Sequence, residues 1–156
     1  MTAAATRPRG RPARSARPVE ETRSAILDAA LALFSERGFE GAAMREIAGR
    51  AGVEHSLLRY HYSDKATLWR AALARLITEM TANMAAGWRT TRGLPPLDRF
   101  KATLRDYVRY CARHPEHARI MVQEAMGESD RVAWIAEQIV GPQHRAMASL
   151  LQTLMD

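Results

Sequence analysis

A single cysteine, Cys111, stands in 156 residues, so no disulfide can form within the chain and a reducing compartment suits it. Nothing reads as a signal peptide: the arginine-rich start is followed by no apolar run, and even residues 26–34 are interrupted by Asp28. No stretch approaches the length needed to cross a bilayer. These absences lead to the expectation of a soluble, cytoplasmic protein. Alternating segments rich in β-branched residues are missing too, which argues against a sheet. A glycine-rich phosphate loop, a nucleophile elbow, a metal-ligand cluster at a known spacing and paired catalytic carboxylates are all lacking. No enzymatic activity, cofactor or metal is therefore expected.

What is present in excess is positive charge, +6 in all, and its distribution is uneven. Arg7, Arg9, Arg11, Arg14 and Arg17 precede the first acid, Glu20. Residues 20–65 carry six basic against eight acidic side chains, and residues 66–156 carry twelve against nine. The excess is thus concentrated in an N-terminal arm. A charged arm is commonly only a solvated tail, so charge alone does not establish a nucleic-acid partner.

Residues 1–18 are rich in Ala, Arg and Pro without hydrophobic periodicity, and are expected to be disordered when free. From there on the pattern is helical. Ile26, Leu27, Ala30, Leu31 and Phe34 form one stripe of a helix over residues 19–37 that Gly38 ends. Short helices follow over residues 44–51 and 54–60, joined through Gly52. Ser63 and Asp64 can cap a long helix bearing Leu68, Trp69, Leu73, Leu76, Met80 and Met84. Pro95 and Pro96 open the next, with a stripe of Phe100, Leu104, Tyr107, Val108 and Cys111, and Pro115 starts another with Ile120, Met121, Ala125 and Met126. Asp130 begins the last, with Val132, Ile135, Ile139, Met147, Leu150 and Leu154 on one face and a kink or restart at Gly141-Pro142.

Two helices of about two turns each are too short to be stable alone. Residues 47–62 need a supporting helix, which the Ile26 to Phe34 stripe provides. This is the organisation of a helix-turn-helix, whose second short helix enters the major groove. Val53 and Leu58 then face inward, leaving His55, Ser56, Leu57, Arg59, Tyr60 and His61 outside, a set that offers hydrogen bonds to bases and phosphates.

From about Arg23 to Leu68 the chain resembles the TetR family of bacterial repressors. The resemblance rests on Ile26…Ala29-Ala30…Leu33-Phe34…Gly38-Phe39, then Ile47-Ala48…Ala51-Gly52-Val53, then Leu58…Tyr60-His61-Tyr62…Lys65…Leu68. It implies an all-α fold: an N-terminal three-helix DNA-binding domain over residues 19–65, then a helical ligand-binding and dimerisation domain over residues 66–156. It also implies further C-terminal helices in relatives, so the second domain reads as incomplete and homodimerisation as open. By position, the resemblance implies that Arg45 reaches groove or backbone. His55, Ser56, Leu57 and Arg59 would face the groove, while Tyr60, His61 and Lys65 would hold phosphates. Leu57 stands where the family has a small or hydroxyl residue, which suits a thymine methyl, and Arg59 replaces a frequent Tyr, which suits a guanine. Ala42 and Ala43 replace capping hydroxyls, so the second helix is expected to lack its N-cap. The alternative for Tyr60, His61 and Tyr62 is to wall off the core, and for Tyr62 that reading is taken.

In the arm, Pro8-Arg9-Gly10-Arg11-Pro12 matches the core of an AT-hook. Gly lets the backbone sit deep in a narrow minor groove, the prolines keep it extended, and Arg9 and Arg11 follow the negative potential. A purely nonspecific tether is the other reading.

Met80, Met84, Tyr107, Tyr110, Met121, Met126 and Trp134 are candidates to line a cavity for a small apolar or amphipathic effector, the alternative being ordinary core packing. His114 and His117 lack further ligands at metal spacing and are read as capping and solvated, and Cys111 as a buried inert thiol. The function expected is a sequence-specific regulator, a repressor released from a palindromic operator by a small molecule. The competing reading is a DNA-binding protein with no effector and mainly nonspecific binding.

Overall fold

The computed structural model describes residues 18–127, 129–141, 145, 148, 151 and 152, which form helices and turns with no strand among them. Helix α1 (Val19–Gly41) starts with Glu20 and Glu21 in its first turn, where acidic side chains favour the positive helix end. It breaks at Gly38, as the sequence requires. Gly38 has φ 70° and ψ 177°, a backbone region open almost only to glycine, and helical bonding resumes through Phe39 to Gly41.

Helix α2 (Met44–Ala51) begins at Ala43 with no side-chain cap, as the missing hydroxyls predict. It ends on Gly52 in the left-handed conformation (φ 68°, ψ 32°). There the Val53 N–H donates to the Ala48 carbonyl at 3.0 Å and the Gly52 N–H to the Gly49 carbonyl at 3.2 Å, satisfying the helix end in a Schellman turn. Helix α3 (His55–His61) follows, then α4 (Lys65–Thr90). Asp64 caps α4: its carboxylate accepts from the Thr67 N–H at 2.7 Å and the Thr67 hydroxyl at 3.1 Å. These bonds to the charged form hold the Asp64 carboxyl below its ordinary range.

Helices α5 (Pro96–Arg113) and α6 (Pro115–Ala125) each carry a proline in their first turn, where its missing N–H costs nothing. Helix α7 (Asp130–Ile135) widens into a π-helical turn over Ala136–Val140. Gly141 lies at its end, whereas Pro142, Met147, Leu150 and Leu154 of the expected last helix lie outside the described residues.

One apolar core runs through most of the described elements. Ile26, Leu33 and Phe34 of α1 meet Ile47, Leu58, Leu68, Trp69 and Leu73, and the cluster continues into Ile120 of α6, Ile135 of α7 and Ile139 of the π turn. The second half is therefore packed directly onto the first. Gln123 of α6 donates to the Ser35 carbonyl of α1 at 3.0 Å, and the Trp69 and Trp134 rings meet edge to face at 5.6 Å. Arg75 of α4 donates to Asp28 and to the Ser24 carbonyl, fastening α4 along α1.

Helix α5 departs from the expected stripe. Its buried residue is Tyr110, whose hydroxyl donates to the Leu76 carbonyl of α4 at 3.2 Å. Leu104, Tyr107 and Val108 are exposed and Cys111 is half-buried, so the thiol is not sealed in a core. The physical reason is rotation: contact with α4 is made through Tyr110 and turns the remaining stripe outward. Among the described residues no helix is long and apolar enough to cross a membrane.

Candidate nucleic-acid interface and adjoining cavity

Leu58 is fully buried and half-buried Val53 packs against the same core, fixing α3 by its inner face. The outer face is then determined by helical geometry. Ser56, Arg59 and Tyr60 are exposed, Tyr60 at 84%, and Leu57 is 40% exposed. His55 and His61 are half-buried, with the Tyr60 and His61 rings edge to face at 5.5 Å. Tyr62 is buried beneath them, its ring closing the core and its hydroxyl beside the Arg23 guanidinium.

The arginines of this region divide into two groups. Arg50 makes a two-point contact with Glu36, at 2.8 and 2.7 Å, and Arg37 meets Glu46 at 2.8 Å. The Glu36 carboxyl is drawn below its ordinary range chiefly by its hydrogen bond to Arg50. These pairs tie α1 to α2. Arg45 and Arg59 are exposed and make no hydrogen bond or ion pair among the described residues. Their charge is uncommitted, and Arg59 shares the short helix α3 with exposed Ser56, Leu57 and Tyr60. Arg9 and Arg11 lie outside the described residues.

Lys65, at the start of α4, is turned back toward α1. Its ammonium donates to the Glu40 carbonyl at 3.2 Å and lies 4.6 Å from the centre of the Phe39 ring. The Arg131 guanidinium of α7 lies 4.0 Å from the same ring, 3.7 Å from the Glu40 carboxylate and 2.9 Å from the Glu124 carboxylate. Phe39 also stacks on Phe34 and meets Trp69 edge to face, at 6.0 and 6.2 Å. The turn created at Gly38 is thereby held by cations from both α4 and α7.

A cavity of about 300 Å³ opens between α5, α6 and α7. Of the seven residues proposed as a lining, Tyr107 and Met121 border it. Met80 and Tyr110 are buried elsewhere, Met84 is half-buried on α4, and Trp134 packs on Trp69. Met126 is 84% exposed. Ala125, Val132, Ile135, Ala136, Ile139 and Val140 complete the apolar wall, and His117 and Glu124 add polar groups. Expected to be solvated, His117 is instead 4% exposed, and burial pushes its imidazole below the ordinary 6.5. A spacing of seven residues, through buried Ile120, puts His117 and Glu124 on one face of α6, a signal the sequence contained. His114 stacks on Tyr110 at 4.5 Å and pairs with Glu116 at 3.1 Å. No group of three metal-ligating side chains occurs among the described residues.

Residues 26–72 match the sequence model described as bacterial regulatory proteins, tetR family. The HTH-type transcriptional activator FasR of Mycolicibacterium smegmatis is 40% identical over 74 residues, 47% of this chain and 34% of its own length. The HTH-type transcriptional regulator RutR of Escherichia coli is 29% identical over 126 residues, 81% of this chain and 57% of its own length. The chain thus spans between one-third and three-fifths of the length of these relatives. The crystal structure of a TetR-like transcriptional regulator from Rhodococcus sp. RHA1 superposes with a TM-score of 0.72 at 22% identity, covering 90% of this chain and 73% of that one, a likeness of fold.

Proposed function

The chain belongs to the TetR family, and we propose that it is a sequence-specific DNA-binding transcriptional regulator that reads the major groove with α3. The observation that carries this reading is the division of the arginines. Where Arg37 and Arg50 are consumed by Glu46 and Glu36, Arg45 of α2 and Arg59 of α3 are exposed and unpaired among the described residues, Arg59 on the same short helix as exposed Ser56, Leu57 and Tyr60. Arg59 suits a guanine edge and Leu57 a thymine methyl, while Arg45, Tyr60 and His61 suit phosphate oxygens. Residues 19–65 form the DNA-binding unit in this reading, and residues 66–156 the regulatory unit. The arm bearing Arg9 and Arg11 adds minor-groove or nonspecific contact.

The regulatory form proposed is a homodimeric repressor released from a palindromic operator by a small effector. Exposed apolar side chains on α5 and α6 (Leu104, Val108 and Val122), with Met126 just past the end of α6, support self-association. The Phe39 turn, gripped by Lys65 and Arg131, supports coupling between the cavity and the start of α4.

Selection of duplexes from a random pool, at stated salt, with the chain's mass measured by sedimentation, tests the reading. The expected result is a two-fold site whose halves lie about 34–36 Å apart, bound by two chains. The Arg59→Ala variant should bind that site about 1–3 kcal/mol more weakly and tolerate change at one base pair. No sequence preference would favour the nonspecific reading instead, and a monomer at high concentration would end the two-half-site mechanism.

A further inference from the structure

We infer that Phe39 and Glu40 form one seat shared by two cations, so that Arg131 of α7 sets how freely Lys65 of α4 reaches a DNA phosphate. Lys65 begins α4, with only residues 62–64 between it and the end of α3. A lysine at a helix start is well placed for a phosphate, since the helix end itself favours an anion. Here its ammonium is engaged elsewhere. It donates to the Glu40 carbonyl at 3.2 Å, and lies 3.9 Å from the Glu40 carboxylate and 4.6 Å from the centre of the Phe39 ring. Arg131 occupies the same two residues, 3.7 Å from the other carboxylate oxygen and 4.0 Å from the ring centre. Two positive charges on one carboxylate and one ring compete, because each repels the other and weakens its attraction to the seat.

The competition is unequal. Arg131 is anchored on the second half of the chain: its Nε donates to Glu124 of α6 at 2.9 Å, and Glu124 is 6% exposed. A buried carboxylate is costly to leave without its cation, so this anchor holds. The Glu40 side chain is 82% exposed, and its hold on Lys65 is of the weak kind that solvent screens. The lysine stem is flexible, whereas the guanidinium is fixed by three partners. While Arg131 occupies the seat, Lys65 leaves it easily. When α7 withdraws Arg131, Glu40 and Phe39 are left to Lys65 alone and hold it back from DNA. Arg131 is thus a positioning residue that acts through Lys65, passing any shift of α7 to the start of α4. This inference gives a regulation of the DNA-binding site proposed above and rests on that reading.

Double-mutant cycles on the full chain, read as affinity for its selected duplex across a salt series, test the coupling. Lys65→Gln should weaken binding and make the slope of log affinity against log salt shallower by about 1, the mark of one lost phosphate contact. Arg131→Gln should weaken binding about two- to fivefold, the range of an exposed ion pair. In the Lys65→Gln background the same change should have no effect. Glu40→Gln, at an exposed position, should strengthen binding by a similar factor, an outcome that a misfolded chain cannot imitate. That gain too should vanish without Lys65. Effects of Arg131→Gln or Glu40→Gln that persist undiminished in the Lys65→Gln background would show direct attraction or repulsion of DNA and overturn the proposal. So would a Lys65→Gln variant of unchanged affinity and slope, an Arg131→Gln variant that binds as the unmodified chain does, or a Glu40→Gln variant that binds no better. In each of these cases the unmodified chain still selects its duplex, so this inference fails alone. An unmodified chain that selects no duplex sinks the regulator reading, and this inference with it.

Discussion

A side chain's identity at one position decides less here than its commitments. Arg50 and Arg59 are nine residues apart, yet one is neutralised by Glu36 and the other has no such partner. The same contrast separates His117, sealed against the cavity, from His61 at the half-exposed end of α3. Burial holds the His117 imidazole below 6.5, so in the folded state it resists a proton that the unfolded chain accepts. The unfolded chain therefore binds more protons from pH 6.5 downward, and stability falls as pH drops toward the folded value. His117→Phe should flatten this slope. Melting temperatures at pH 7.5 and 5.5 should differ less in the variant than in the unmodified chain. An unchanged difference would show that His117 is protonated in the fold at no cost.

At the scale of elements, legibility followed the local signals. Helices α1 to α4 could be placed because their ends carry chemistry of their own: glutamates at the start of α1, glycine at both turns, and Asp64 at the start of α4. The core face of α3 followed from Leu58 and Val53, and its outer face from what remained. Helix α5 was less legible, since its apolar residues outnumber those its contact with α4 can cover, and periodicity does not say which Tyr turns inward. Tyr110 does, through a hydrogen bond to Leu76 that has no sequence signature. Of the residues proposed to line a cavity, Tyr107 and Met121 border the one between α5, α6 and α7, and the others do not, for a related reason. Methionine and tryptophan signal apolar environment but not address, and Trp134 went to Trp69 instead. The Gly38 turn gives this scale its prediction. An alanine there meets no atom within 4 Å, so only the backbone resists it. At φ 70° and ψ 177° the cost should be about 1–3 kcal/mol, read as a lower denaturation midpoint at unchanged slope. A smaller loss would mean that the turn relaxes into another conformation, carrying Phe39 away from Lys65 and Arg131.

For the molecule as a whole, charge is arranged along the chain and not spread over it. Residues 20–65, which contain the proposed recognition unit, carry more acid than base, and Glu46 and Glu36 pair with Arg37 and Arg50 within it. Long-range attraction to a polyanion then falls to the arm, with five arginines and no acid before Glu20. In the proposed reading, recognition and attraction are divided between two parts of one chain, α3 discriminating bases and the arm adding affinity that salt weakens. Deleting residues 1–17 should therefore leave the selected operator sequence unchanged at the half-site bases and lower affinity for all duplexes. The slope of log affinity against log salt should become shallower by up to about 4–5, near 0.9 for each phosphate released by an arginine. A minor-groove role for Arg9 and Arg11 adds a further condition: the loss should be larger on duplexes with A·T-rich flanks than with G·C-rich flanks. Equal losses on both would leave the arm as an electrostatic tether, and an unchanged slope would show that its arginines never reach the phosphates.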